Sequence, residues 1–154
     1  MIRDDIKAAQ LAAMKAGDKE TRAAVGLIQA AIKNRDIEER TGGAPDPGSP
    51  GDDALVVEVL QKMVKQRRES IAMYEQGGRP ELAAAERAEV SVIERFLPQQ
   101  MDEADTRAAI DAIKAELGAT GIKDMGRVMA ELKARHASRL DMSKASALVK
   151  AALA

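Results

Sequence analysis

A chain of 154 residues can bury one ordinary core, or one elongated helical part plus a small satellite. Ala, Glu, Lys, Arg, Leu and Met dominate and only Tyr74 and Phe96 are aromatic, which favours helix over sheet, while the absence of cysteine excludes disulfides, thiolate metal sites and a thiol nucleophile. With 24 basic against 25 acidic residues there is no polycation character, so any nucleic-acid role has to rest on a local patch.

Ile2, Ile6, Ala9 and Ala13 recur at helical spacing, with Leu11 off their stripe; Gly17 then stops the helix and Asp18 caps the next. That second helix carries Val25, Ile28 and Ile32 on one face and runs to about Arg40. Gly42 to Gly51 holds four Gly and three Pro in ten residues, which cannot keep regular structure, so a flexible surface loop is expected over 41–52. Asp52 or Asp53 can cap a long helix with Val56, Val59, Leu60, Met63, Ile71 and Tyr74 on its apolar face, ending at Gly77-Gly78. Pro80 suits the first turn of the return helix, whose inner face reads Leu82, Ala85, Ile93, Phe96 and Leu97 before Pro98 ends it. The short connection makes the pair an antiparallel hairpin.

Past Pro98 the units shorten. Asp102 caps a helix carrying Thr106, Ile110, Ile113 and Leu117, closed by Gly118 and Gly121. A second holds Met125, Val128, Met129 and Leu132, and a third holds Met142, Ala145, Val149 and Leu153 behind a cap at Asp141. The expectation is an all-α protein: an N-terminal long-helix hairpin bundle over 1–98, then a small three-helix bundle over 99–154.

If Tyr74 faces Leu82 across the hairpin turn, Arg67 faces Glu89. Helical projection puts Arg67 and Ser70 in one apolar stripe and Glu86 and Glu89 in the other. The expected outcome is a partly buried ion pair of Arg67 with Glu89, Glu86 sharing the cation, that sets register. Glu86 and Glu89 as a catalytic or metal-binding carboxylate pair is the sharper alternative, but no His, Cys or further Asp on that face completes such a set.

Phosphate loops, G-x-G-x-x-G, nucleophile elbows and H-E-x-x-H are all missing, and His136 is the only histidine, so no catalytic residue, metal site or cofactor is expected. His136 continues the Met125, Met129, Leu132 stripe and reads as a half-buried structural residue. The eight methionines sit mostly at core spacing and read as gap-fillers. Basic residues gather twice: Lys62, Lys65, Arg67 and Arg68 on the long helix, and Lys123, Arg127, Lys133, Arg135, Arg139, Lys144 and Lys150 near the C-terminus. Without aromatic platforms, reading of unstacked bases is disfavoured. No apolar run approaches the roughly 20 residues of a membrane span, and the charged start lacks a signal-peptide core, so a cytoplasmic protein without a membrane partner is expected.

The segments Met14-Lys-Ala-Gly-Asp-Lys19, Leu60-Gln-Lys-Met-Val-Lys-Gln-Arg-Arg-Glu-Ser-Ile71, Gly78-Arg-Pro-Glu-Leu82, Phe96-Leu-Pro98 and Asp124-Met-Gly-Arg-Val-Met129, with Glu86 and Glu89, resemble the GatB/YqeY family. The resemblance implies a C-terminal module similar to the tail of GatB, a component of the tRNA-dependent amidotransferase, where the tail helps hold tRNA and the chemistry lies elsewhere. The family's label of carbon–nitrogen ligase activity with glutamine as amide donor then reflects kinship. The leading expectation is a non-catalytic module that contacts tRNA or the amidotransferase subunits, using some of Lys123, Arg127, Lys133, Arg135, Arg139 and Lys144. A protein–protein adaptor with no nucleic-acid role is the alternative, and an accessory part in glutamine-dependent amide transfer a third.

Overall fold

A computed structural model of the chain describes residues 1–39 and 49–154. Among them the protein is all-α, with seven helices and no strand: α1 (Ile2–Ala16), α2 (Lys19–Glu39), α3 (Pro50–Gln76), α4 (Pro80–Glu94), α5 (Glu103–Leu117), α6 (Met125–His136) and α7 (Met142–Leu153). Two short 3-10 turns, Ile122–Asp124 and Ala137–Arg139, flank α6. The chain divides into two compact units, Met1–Leu97 and Pro98–Ala154.

In the first unit, α1 stops because Gly17 enters the left-handed region at φ 68°, which lets the Asp18 amide reach back to the Ala13 carbonyl at 2.9 Å. Asp18 then accepts the Thr21 amide at 3.0 Å and opens α2. Ile6 of α1, Val25, Ile28 and Ile32 of α2, Val56, Leu60 and Met63 of α3 and Val90 and Ile93 of α4 form one aliphatic core. Each such side chain contributes about 1.5–3 kcal/mol by leaving water. Leu11, off the stripe, is exposed. Beyond Val64, α3 has no fully buried residue, so its C-terminal half is only half covered.

Three details differ from the sequence-based expectation. The inward stripe of α4 runs through Ala83, Glu86, Val90 and Ile93, while Leu82 and Ala85 are exposed. The turn sets this rotation: Gly78 sits at φ 71°, Pro80 starts the helix, and Ala83, fully buried, permits close approach to its neighbours. Second, α4 ends at Glu94, four residues before Pro98. The amides of Arg95, Phe96 and Leu97 bond three residues back, because a residue preceding proline disfavours α geometry; this tighter winding still lays Phe96 and Leu97 on the core.

Third, the Gly/Pro segment expected over 41–52 gives way to helix by Pro50, and residues 40–48 lie outside the described residues. Neither Asp52 nor Asp53 caps α3; Ser49 stands at the cap position without a side-chain bond. Both carboxylates are turned to α1 instead. Asp53 Oδ1 accepts the Ile2 amide at 3.0 Å, capping α1 from another helix, and Asp52 meets Arg3.

The second unit packs α5, α6 and α7 around Ile110, Ile113, Val128, Leu132, Ala145, Val149 and Leu153. Asp102 caps α5 by accepting the Asp105 amide at 2.7 Å, and Asp141 caps α7 by accepting the Ser143 amide at 2.9 Å. Gly118 closes α5 at φ 63°. Of the methionines, Met63 is buried in the first core and Met101, Met125, Met129 and Met142 pack on the second, whereas Met1, Met14 and Met73 are exposed. His136, the last residue of α6, is half-buried.

Candidate nucleic-acid interface

Between α3 and α4, Arg67 Nε donates to Glu89 Oε2 at 2.8 Å and stands 4.0 Å from Glu86 Oε2, while Arg67 Nη1 donates to the Met63 carbonyl at 3.3 Å. One guanidinium therefore spreads over two carboxylates and a helix carbonyl. Arg68 pairs with Glu94 at 2.7 Å and Arg87 with Glu75, so the hairpin is zipped along its length by charge. Glu86 and Glu89 are both turned to Arg67, and among the described residues no cluster of His, Asp or Glu has the geometry of a metal site.

The six basic candidates of the second unit fall into two groups. Arg127 Nη2 donates to Asp124 Oδ1 at 2.7 Å, Arg135 bridges Glu116 at 2.6 Å and Glu131 at 2.7 Å, and Arg139 Nε donates to the Gln99 carbonyl at 2.9 Å. These arginines are already engaged inside the unit. Arg127 holds the Asp124 carboxyl below the usual carboxylate range, helped by the Thr120 amide, and Arg135 does the same to Glu116. Lys123, Lys133 and Lys144 are exposed and have no carboxylate in ion-pair distance among the described residues; Lys150 on α7 shares that condition.

Charge is distributed unevenly here. From Gly118 to Ala154 there are seven basic and three acidic residues, whereas Asp102 to Leu117 holds five acidic and two basic. Of the three acids in the basic stretch, Asp124 and Glu131 are bound to arginines and Asp141 caps α7. The net positive charge is thus carried by lysines on the turn before α6 and on the exposed sides of α6 and α7.

The family described as Yqey-like protein matches residues 3–153. The chain belongs to the YqeY-like family. Among curated relatives, a protein named altered inheritance of mitochondria protein 41, mitochondrial, from Saccharomyces cerevisiae strain YJM789, is 24% identical over 124 residues, covering 77% of this chain and 61% of the relative. The chain thus spans less than two thirds of that relative. Its namesake in Eremothecium gossypii is 29% identical over 157 residues, covering 99% of this chain and 79% of the relative. That of Meyerozyma guilliermondii is 35% identical over 96 residues, 62% of this chain and 44% of the relative. All three names carry the word mitochondrial, which corrects the cytoplasmic expectation. A cysteine-free chain lacks a redox constraint, so its composition does not distinguish one reducing compartment from another.

A cluster in the first unit of this YqeY-like chain is one that sequence reasoning missed. Arg3 donates two bonds to Asp36, at 2.7 and 2.9 Å, and its Nε approaches both oxygens of Asp52, at 2.8 and 3.0 Å. Hydrogen bonds to the two carboxylates raise the Arg3 pKa further above its ordinary value. Spacing held the signal: Arg3 precedes Ile6 by three, Asp36 follows Ile32 by four and Asp52 precedes Val56 by four, so each continues an apolar stripe. In the second unit, Lys114 Nζ donates to the Ala152 carbonyl at 2.8 Å, placing a cation on the C-terminal turn of α7.

Proposed function

We propose that the C-terminal unit is a non-catalytic RNA-binding module, with tRNA as its ligand, that contacts phosphates through Lys123, Lys133 and Lys144. The observation that carries this reading is the division of labour among its cations: arginines spent internally, lysines left to solvent beside a stretch with few acids. Membership of the YqeY-like family and the resemblance of this region to the GatB tail add support for tRNA. Association with amidotransferase subunits follows from the same kinship and belongs to this reading as a partner.

Counterion release gives the test. The log of tRNA affinity falls linearly with log salt, and replacing Lys123, Lys133 and Lys144 with Ala lowers the slope by about 3. No binding of tRNA at low salt removes the reading.

A second reading, a protein-interaction adaptor, has its own observation: Leu11, Met14, Leu27, Ile37, Met73 and Leu82 of the first unit are large, apolar and exposed. Purification from cells with identification of both bound RNA and bound protein separates the two.

A further inference from the structure

We infer that the RNA bound by the C-terminal unit is base-paired, held by its phosphate ridges without regard to sequence. This rests on the RNA reading above. Single strands are gripped chiefly by stacking of bases on aromatic rings or guanidinium planes, worth about 1–3 kcal/mol per base. The unit has no Phe, Tyr or Trp, since Tyr74 and Phe96 both belong to Met1–Leu97, and its one ring is the half-buried imidazole of His136. Its guanidiniums are already hydrogen-bonded within the unit. All four of its arginines are engaged: Arg107 with Glu103, Arg127 with Asp124, Arg135 with Glu116 and Glu131, and Arg139 with the Gln99 carbonyl.

What remains is a set of ammonium groups, Lys123, Lys133, Lys144 and Lys150. An ammonium is a compact, strongly hydrated point charge without the planar face on which a base stacks. Its attraction to a polyanion rises with the density of phosphates, and each neutralised phosphate releases more counterion from a duplex than from a single strand, about 0.9 against 0.7. The helices that carry Lys133, Lys144 and Lys150 also expose small residues, Gly126, Ala130 and Ala134 on α6 and Ala147 and Ala151 on α7. Such residues give a splayed base no plane on which to stack. Lysines exposed without Phe, Tyr or Trp beside them therefore favour the double strand.

The full chain is titrated at low salt with two RNA duplexes of about 20 base pairs and unrelated sequence, and with an unstructured oligouridylate of about 20 nucleotides. Both duplexes bind within about threefold of each other and roughly tenfold more tightly than the single strand. Replacing Lys123, Lys133, Lys144 and Lys150 with Ala abolishes that difference while helicity and melting temperature are retained. Equal or tighter binding of the single strand overturns the base-paired assignment and leaves the RNA reading standing. Binding of neither RNA overturns both. Duplex binding untouched by the four substitutions overturns the assignment to this surface.

Discussion

Arg3 and Asp52, 49 residues apart, meet with the Nε of one 2.8 Å from the Oδ2 of the other, and the Asp52 side chain is only 1% exposed. A carboxylate so buried needs its charge compensated, because desolvation outweighs what an isolated charge can recover, and Arg3 supplies a full positive charge. The guanidinium also holds Asp36 near the end of α2, so one side chain at the start of α1 joins both helices that flank residues 40–48. Arg3→Ala removes the cation that joins Asp36 to the buried Asp52 and is expected to destabilise the first unit by roughly 3 kcal/mol. In a unit of this size that lowers its melting by about 10 °C or more in differential scanning calorimetry. Arg3→Lys recovers little, since an ammonium cannot make both planar contacts at once. A lysine variant that melts with wild type would show that charge alone suffices.

The Arg67 and Glu89 pair is more open to water, with side chains 15% and 34% exposed, and its expected contribution is correspondingly smaller. Arg67→Ala costs about 1–2 kcal/mol, and a double-mutant cycle with Glu89→Gln yields a coupling of about 1 kcal/mol. Replacing the pair together by Met and Leu keeps the melting temperature near wild type, because removing both charges also removes their desolvation. Additive single effects, with no coupling, would show that the pair is incidental.

Asp124 gives a pH dependence with a definite sign. Its carboxyl is held below the ordinary carboxylate range by Arg127 and by the Thr120 amide. A lowered folded-state pKa means that the stabilisation is present above the unfolded value, near pH 4, and fades as pH falls through the folded value. Asp124→Asn should therefore melt below wild type at neutral pH and converge with it in strong acid. An equal gap at both pH values would locate the effect in packing instead of charge.

Two glycines are expected to respond in opposite directions. At Gly26, in the middle of α2, an added Cβ meets nothing within 4 Å, so Gly26→Ala stabilises by about 0.5–1 kcal/mol through the unfolded chain's lost freedom. Gly118 also has open space, but its φ of 63° is left-handed, and Gly118→Ala is expected to cost about 1 kcal/mol. Urea midpoints of the two variants, measured together, decide the point.

The sequence alone determined the helices and most of their faces. Ile6, Val25, Ile28, Ile32, Val56 and Leu60 in one unit, and Ile110, Ile113, Val128, Leu132 and Val149 in the other, are buried where a period of about 3.6 residues places them. Caps at Asp18, Asp102 and Asp141 were legible for the same reason: each is a local event between a side chain and an amide two or three residues on.

Tertiary structure decided what depends on partners distant in the chain. Asp52 and Asp53 look like caps for their own helix, yet Arg3 and the Ile2 amide claim them, because a buried carboxylate goes to the strongest donors within reach. The rotation of α4 that buries Ala83 and exposes Leu82 was set by a glycine turn whose φ no periodicity specifies. The basic stretch behaved likewise. Seven cations were visible in sequence, but which remain available to a ligand followed only from where Glu116, Asp124, Glu131 and the Gln99 carbonyl come to lie. Periodicity fixes which face of a helix turns inward; it is silent on which acid a long, flexible arginine will reach, and that choice separates the structural cations from those open to a ligand.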